Sequence, residues 1–277
     1  MGALSRFRTV VKIAVAQFGS GFDKTANLAQ ITAFAEQAAQ AGARMVVFPE
    51  GAMHTFGELK DDLSPFAEPL DGPFVSRLSK LAARFDLVLV AGMFEAIPGD
   101  HRISNTAVVV DKRHGLAAAH RKRHLYDAFG ERESDRFRAG AEDIPVIDID
   151  GFKTAVVVCY ELRFPAFIQD VADRGAEVLA VPAAWVAGPL KEEHWDVMVR
   201  ARAIENTMYV AGAGMTGAGF CGRSMIVDPL GVVEAGLGEA VGLALGEVTR
   251  ERLASARARL PLIEQRRAAA REGAAKS

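Results

Sequence analysis

The sequence predicts an α/β fold built on mixed sheets. Strand, helix and strand alternate at the start of the chain, which implies a right-handed βαβ crossover and parallel pairing. A hairpin turning at Asp150-Gly151 breaks that order in the middle, and more short strands follow towards the end. Half of the 277 residues are hydrophobic and a quarter are charged, so enough apolar surface exists for a sizeable core. No linker or composition break divides the chain. It reads as one domain over 1–277, with a core of about 12–248 and a tail over 249–277.

Lys12 to Gln17 is a short strand, and Asp23 is placed to cap the helix after it. Leu28, Ile31, Phe34, Ala35 and Ala38 share one face of that helix, and Gly42 closes it as a left-handed C-cap. Met45 to Phe48 is a buried strand running into Pro49-Glu50-Gly51. Ala52 to Gly72 is irregular and reads as a rim or lid loop. Pro73 opens a helix through Phe85, with Phe74, Leu78 and Leu81 facing inward. Leu87 to Phe94, Asn105 to Val110 and Leu116 to His120 are strands, and a polar functional loop separates the last from Pro145.

Ile144 to Ile149 and Lys153 to Val158 form the hairpin, whose second strand delivers Cys159. A helix over Pro165 to Arg174, a strand over Glu177 to Val181 and a helix over His194 to Asn206 follow. Met208 to Ala213, Ser224 to Val227 and Val241 to Val248 are the last strands. The tail from Arg250 is amphipathic at first and expected to fray by Lys276.

The 33 basic and 35 acidic residues leave a formal charge of −2, with no electrostatic footprint for nucleic acid or an anionic membrane. Every apolar run is too short to span a bilayer. Two cysteines without a secretory leader point to free thiols in a reducing, cytoplasmic setting.

Several motifs have bland readings. Gly212-Ala213-Gly214-Met215-Thr216-Gly217 fits a dinucleotide fingerprint, but the glycine-rich residues after it cannot open the required helix, so it reads as a flexible loop. His120 and His124 lie four apart, yet Arg121, Lys122 and Arg123 between them would repel a cation, so no metal is expected. The basic run itself reads as a solvated loop. Cys221 reads as a structural thiol.

Two strand ends are more suggestive. Glu50 and Cys159 each follow a buried run at a carboxyl edge, where α/β proteins place ligands. A carboxylate can act as general base on a thiol, and an ammonium such as Lys122 can stabilise an oxyanion.

Three separated segments resemble the signature of the nitrilase superfamily of carbon–nitrogen hydrolases. They are Val46-Val47-Phe48-Pro49-Glu50, His120-Arg121-Lys122-Arg123-His124-Leu125-Tyr126-Asp127 and Val158-Cys159-Tyr160-Glu161-Leu162-Arg163-Phe164-Pro165, in the family's order. The resemblance implies a four-layer α-β-β-α sandwich that pairs into a homodimer or larger assembly. It implies Cys159 as nucleophile, Glu50 as general base and Lys122 in an oxyanion hole with the Tyr160 N–H, without cofactor. Glu133, in Glu133-Ser134, would position substrate or assist proton transfer, although Arg138-Ala139-Gly140 stands where the family usually has a proline.

The run Lys122 to Gly130 and the segment Trp185-Val186-Ala187-Gly188-Pro189 look most like the NIT-type amidase branch, which includes the deaminated-glutathione amidases. That implies a small amide as substrate, cleaved to acid and ammonia, with Trp185 at the site. Arg163 is a partner either for a substrate carboxylate or for Glu161 or another surface acid. A nitrilase, an N-carbamoyl amidohydrolase and a catalytically silent scaffold remain open alternatives.

Overall fold

The computed structural model describes residues 9–58, 60–217 and 219–274. In chain order the strands are β1 (Val10–Gln17), β2 (Met45–Val47), β3 (Val88–Glu95), β4 (Ser104–Asp111), β5 (Gly115–Arg121), β6 (Val146–Ile149), β7 (Phe152–Val156), β8 (Val178–Ala183), β9 (Tyr209–Gly214), β10 (Met225–Val227), β11 (Val233–Gly236) and β12 (Gly242–Thr249). The helices are α1 (Lys24–Gln40), α2 (Pro73–Phe85), α3 (Pro165–Asp173), α4 (Lys191–Asn206), α5 (Arg250–Arg259) and α6 (Leu262–Ala274).

Among the described residues the strands form two six-stranded mixed sheets, ordered β12-β1-β2-β3-β4-β5 and β11-β10-β9-β8-β7-β6. Three parallel neighbours lie within each, β1-β2-β3 in the first and β7-β8-β9 in the second. The remaining pairs are antiparallel. The two sheets pack face to face through β1, β2 and β3 against β8 and β9.

Period-two alternation decides which side each strand residue faces. On β1, Ile13 and Val15 join the core shared with the second sheet, whereas Ala14 and Ala16 join the core under α1 and α2. Val109 and Val110 of β4 divide the same way. On the far side, Trp195 and Val199 of α4 and Ile168 of α3 cover the second sheet. The layers therefore run α-β-β-α.

Local signals explain the element ends. The Asp23 carboxylate accepts the Thr25 N–H at 2.8 Å and caps α1, and Gly42 leaves the helix with φ 80°. Pro73 starts α2 and Asp86 ends it in the left-handed region. Gly92 of β3 is glycine for space, because a Cβ there would sit 1.6 Å from the Glu50 carbonyl oxygen. Gly214 of β9 is similar, since its Cβ would meet the Gly222 carbonyl at 2.2 Å. Gly212 and Gly214 of the fingerprint-like run thus lie in β9 and Gly217 in the loop after it, and no helix starts there among the described residues.

The structure corrects other expectations. The strand before Cys159 ends at Val156, two residues early. β11 is short and largely exposed, with no apolar run to mark it. The tail folds into α5 and α6, tied back by Arg266 to Asp173 at 2.8 Å. The start of the Ala52–Gly72 loop is core instead of rim, with Ala52, Met53 and His54 buried. The expected fraying at Lys276 lies outside the described residues. No helix among those described is long and apolar enough to cross a membrane.

Candidate active site

The site forms where strand ends of both sheets meet. Past β2, the Phe48 N–H still pairs with the Val90 carbonyl at 2.8 Å, and Pro49 then turns the chain so that Glu50 is buried. Lys122 directly follows β5 and its N–H donates to the Asn105 carbonyl at 2.8 Å. Glu133 sits on a single 3-10 turn, Glu133–Asp135, folded back on the Lys122 loop by the Tyr126 N–H, which donates to Glu133 Oε2 at 2.6 Å.

These residues converge with only 2% of the Lys122 and Glu50 side chains and 7% of Glu133 exposed. Charges this dry must pair. Lys122 Nζ donates to Glu50 Oε1 and lies equally close to Glu133 Oε2, each at 2.8 Å. Burial alone would lower the ammonium's pKa, but Glu133 and Glu50 hold it well above the ordinary lysine range. Asn105 completes the group: its Nδ2 donates to Glu50 Oε1 at 2.7 Å and to Glu133 Oε1 at 2.8 Å. Asn105 belongs to no motif in the sequence. Its signal was an amide within a strand, where asparagine is uncommon.

From the second sheet comes the thiol. After β7 the Val157 N–H still bonds the Ala180 carbonyl at 3.1 Å, and Cys159 then takes φ 46°. A left-handed non-glycine residue costs about 1–3 kcal/mol and persists where surroundings enforce it. The 3-10 turn Cys159–Arg163 follows, and Pro165 begins α3. Burial pushes the Cys159 thiol well above its ordinary range, and the Glu50 carboxylate pushes the same way. Lys122 and the Ala184 N–H oppose them without prevailing. Burial and the neighbouring carboxylate thus both favour the protonated thiol. Glu50 also reaches the second sheet directly, because its Oε2 accepts the Ala184 N–H at 2.8 Å.

Another carboxylate, Glu161, is fully buried two residues past the thiol. Its Oε2 accepts the Val158 N–H at 2.7 Å and His120 Nε2–H at 2.8 Å, and its Oε1 accepts the Arg123 N–H at 2.7 Å. Burial opposes its ionisation, yet His120 and these N–H groups hold the carboxyl below its ordinary range. His120 thus serves a hydrogen bond, and no cluster of three or more metal-ligating side chains exists among the described residues. The basic run is not a solvated loop. Arg121 grips Glu95 with Nε at 2.8 Å and Nη2 at 2.6 Å, while Lys122 points inward.

A cavity of about 590 Å³ opens over Cys159, Glu50, Lys122 and Glu133. Tyr160, Arg163, Trp185 and Lys191 line it, together with Phe56 from the Ala52–Gly72 loop. Arg163 does not pair with Glu161. Its guanidinium stands 4.7 Å from the Trp185 ring centroid, and Nη2 lies 3.4 Å from His194 Nδ1. Trp185 is fixed by Nε1–H donation to the Lys191 carbonyl at 2.8 Å. Tyr160 packs edge-on to Tyr126 at 5.1 Å. Cys221 is buried and its thiol, desolvated, is pushed up to about 12.

A family model described as carbon-nitrogen hydrolase matches residues 12–258. The chain is 36% identical over 257 residues to the deaminated glutathione amidase of Escherichia coli O157:H7, covering 92% of this chain and 97% of that protein. It superposes on Saccharomyces cerevisiae Nit3, a member of branch 10 of the nitrilase superfamily, with TM-score 0.83 and 29% identity, over 94% of this chain and 98% of that one. The Caenorhabditis elegans NitFhit protein gives TM-score 0.85 at 29% identity over 92% of this chain, which spans 65% of that longer protein. With fold, family model and full-length relatives in agreement, the chain belongs to the carbon–nitrogen hydrolase family, enzymes that act on carbon–nitrogen bonds other than peptide bonds.

Proposed function

We propose that the protein is an amidase that converts a small amide to its carboxylic acid and ammonia through a thioester on Cys159. The observation that carries this reading is the buried Lys122 ammonium, 2.8 Å from both Glu50 and Glu133, beneath a cavity that also exposes the Cys159 elbow.

Hydrogen-bond accounting assigns the base atom. Each carboxylate oxygen accepts about two hydrogen bonds. Glu50 Oε1 already takes Asn105 and Lys122, while Oε2 takes only the Ala184 N–H. The free lone pair on Oε2 receives the thiol proton as sulfur attacks the substrate carbonyl. Lys122 Nζ and the Tyr160 N–H receive the developing oxyanion, an interaction of the kind worth about 10²–10³ in rate. Glu50 passes its proton to the amide nitrogen, the C–N bond breaks and ammonia leaves. Water then enters, gives a proton to Glu50 and attacks the thioester; collapse releases the acid and returns the proton to sulfur. Glu133 orients Lys122 and the substrate amide from the other flank.

Arg163, braced on Trp185, supplies the site for a substrate carboxylate. Relatives named deaminated glutathione amidase support a carboxylate-bearing amide. The free thiols support a cytoplasmic setting. Exposed Val197 and Ile204 of α4, with Val232 and Val233, offer an apolar face for a second copy of the chain.

Three outcomes test this. In an ammonia-release screen over amides, nitriles and carbamoyl compounds, the wild type turns over carboxylate-bearing amides and Cys159→Ala releases none; ammonia from Cys159→Ala at the wild-type rate would falsify the reading. Replacing Glu50 by Gln removes a negative charge that pushes the thiol up, so the pH profile of Cys159 alkylation by iodoacetamide, read by peptide mass spectrometry, moves to lower pH. An unmoved profile would mean that Glu50 does not face the sulfur. Light scattering of the wild type is expected to give a dimer and of Val197→Asp/Ile204→Asp a smaller species; identical masses would remove that face from the interface.

A further inference from the structure

The thiol and the ammonium belong to different sheets, so something must fix their separation. Cys159 follows β7 of the second sheet and Lys122 follows β5 of the first. One side chain bonds the backbone immediately beside both. Glu161 accepts the N–H of Val158, the residue before the thiol, and the N–H of Arg123, the residue after the ammonium. It also accepts His120 Nε2–H, two residues ahead of Lys122, and more distantly the His124 N–H at 3.4 Å. Its carboxylate lies outside the cavity lining and is fully buried, so its contacts are with the protein's own framework.

We propose that Glu161 is a positioning residue, a carboxylate clamp that sets the distance from Lys122 to Cys159 across the junction of the two sheets. The chemistry suits the task. A carboxylate accepts at both oxygens, so one rigid planar group gathers N–H donors from both segments, and charge-assisted bonds are the stronger kind. An amide in its place offers one acceptor oxygen and turns an NH₂ towards another donor. One of the two segments is then released. This inference rests on Cys159 as nucleophile and Lys122 as oxyanion partner.

The test compares Glu161→Gln and Glu161→Asp in the full-length protein. With a working amide substrate, Glu161→Gln lowers kcat by about 10- to 100-fold with KM within about three-fold, the loss expected from misplacing a group by a fraction of a bond length up to about 1 Å. Glu161→Asp keeps the charge and recovers part of kcat. The decisive readout needs no turnover. If Lys122 drifts from the sulfur, the thiolate loses its cation and Cys159 alkylation at a fixed pH near 8 slows by about ten-fold. Deleting a negative charge without moving Lys122 has the opposite sign and speeds it. Unchanged kcat, unchanged or faster alkylation, or failure of both variants to fold would overturn the proposal and leave Glu161 a stabiliser of the core. If instead wild-type ammonia release persists in Cys159→Ala, the catalytic reading fails, and the alkylation rates still report the clamp separately.

Discussion

The buried Lys122 ammonium is the charge on which the site depends. Desolvating an ion costs several kcal/mol after relaxation, about the whole margin of a folded domain's stability. Glu50 and Glu133 offset that cost only because both reach the same nitrogen at 2.8 Å. Three separate backbone segments must therefore end in one place: the turn after β2, the end of β5 and the 3-10 turn at Glu133. Two carboxylates around one ammonium would leave excess negative charge, and the Asn105 amide disperses it by donating to both. The same burial and the nearby Glu50 carboxylate push the Cys159 thiol above its ordinary range.

The second constraint is the junction between the sheets. Beside the site, two carboxylates bridge it, Glu50 to the Ala184 N–H and Glu161 to the N–H groups beside Lys122 and Cys159. Around them the contact is apolar, with β1, β2 and β3 facing β8 and β9. Gly92 lets β3 approach the Glu50 backbone closely, so this carboxylate is positioned by main-chain packing as well as by its hydrogen bonds. Helices α1 and α2 on one side and α3 and α4 on the other bury the outer faces and hold the sheets against each other. Chemistry sits at the rim of this sandwich, where strands end and backbone N–H groups become available.

Much of this was legible in the chain because strand ends carry motifs. Val46 to Glu50 and the valines before Cys159 announce buried strands that stop on reactive side chains. What was not legible depends on partners far away in sequence. Glu161 was visible as an acid but its N–H donors at Val158, His120 and Arg123 belong to segments at the ends of strands from two different sheets, so a local ion pair with Arg163 looked reasonable. Arg163 turned to Trp185 instead. The basic run looked solvated because composition ignores direction; along extended chain, side chains alternate, so Arg121 reaches Glu95 while Lys122 enters the core. Three valines suggested strand as far as Val158, yet hydrogen bonding, not apolar character, ends a strand, and the chain begins its turn early to give Cys159 its left-handed φ. Asn105 has no motif around it to mark it as part of the site.

The most direct measurement is chemical trapping of the acyl-enzyme. Acid quenching during turnover of an amide substrate, followed by mass spectrometry of the peptide carrying Cys159, is predicted to show the substrate's acyl group on that cysteine, appearing and disappearing with turnover and absent from Cys159→Ala. Ammonia release with Cys159 unmodified throughout, or the acyl group on another residue, would contradict the account.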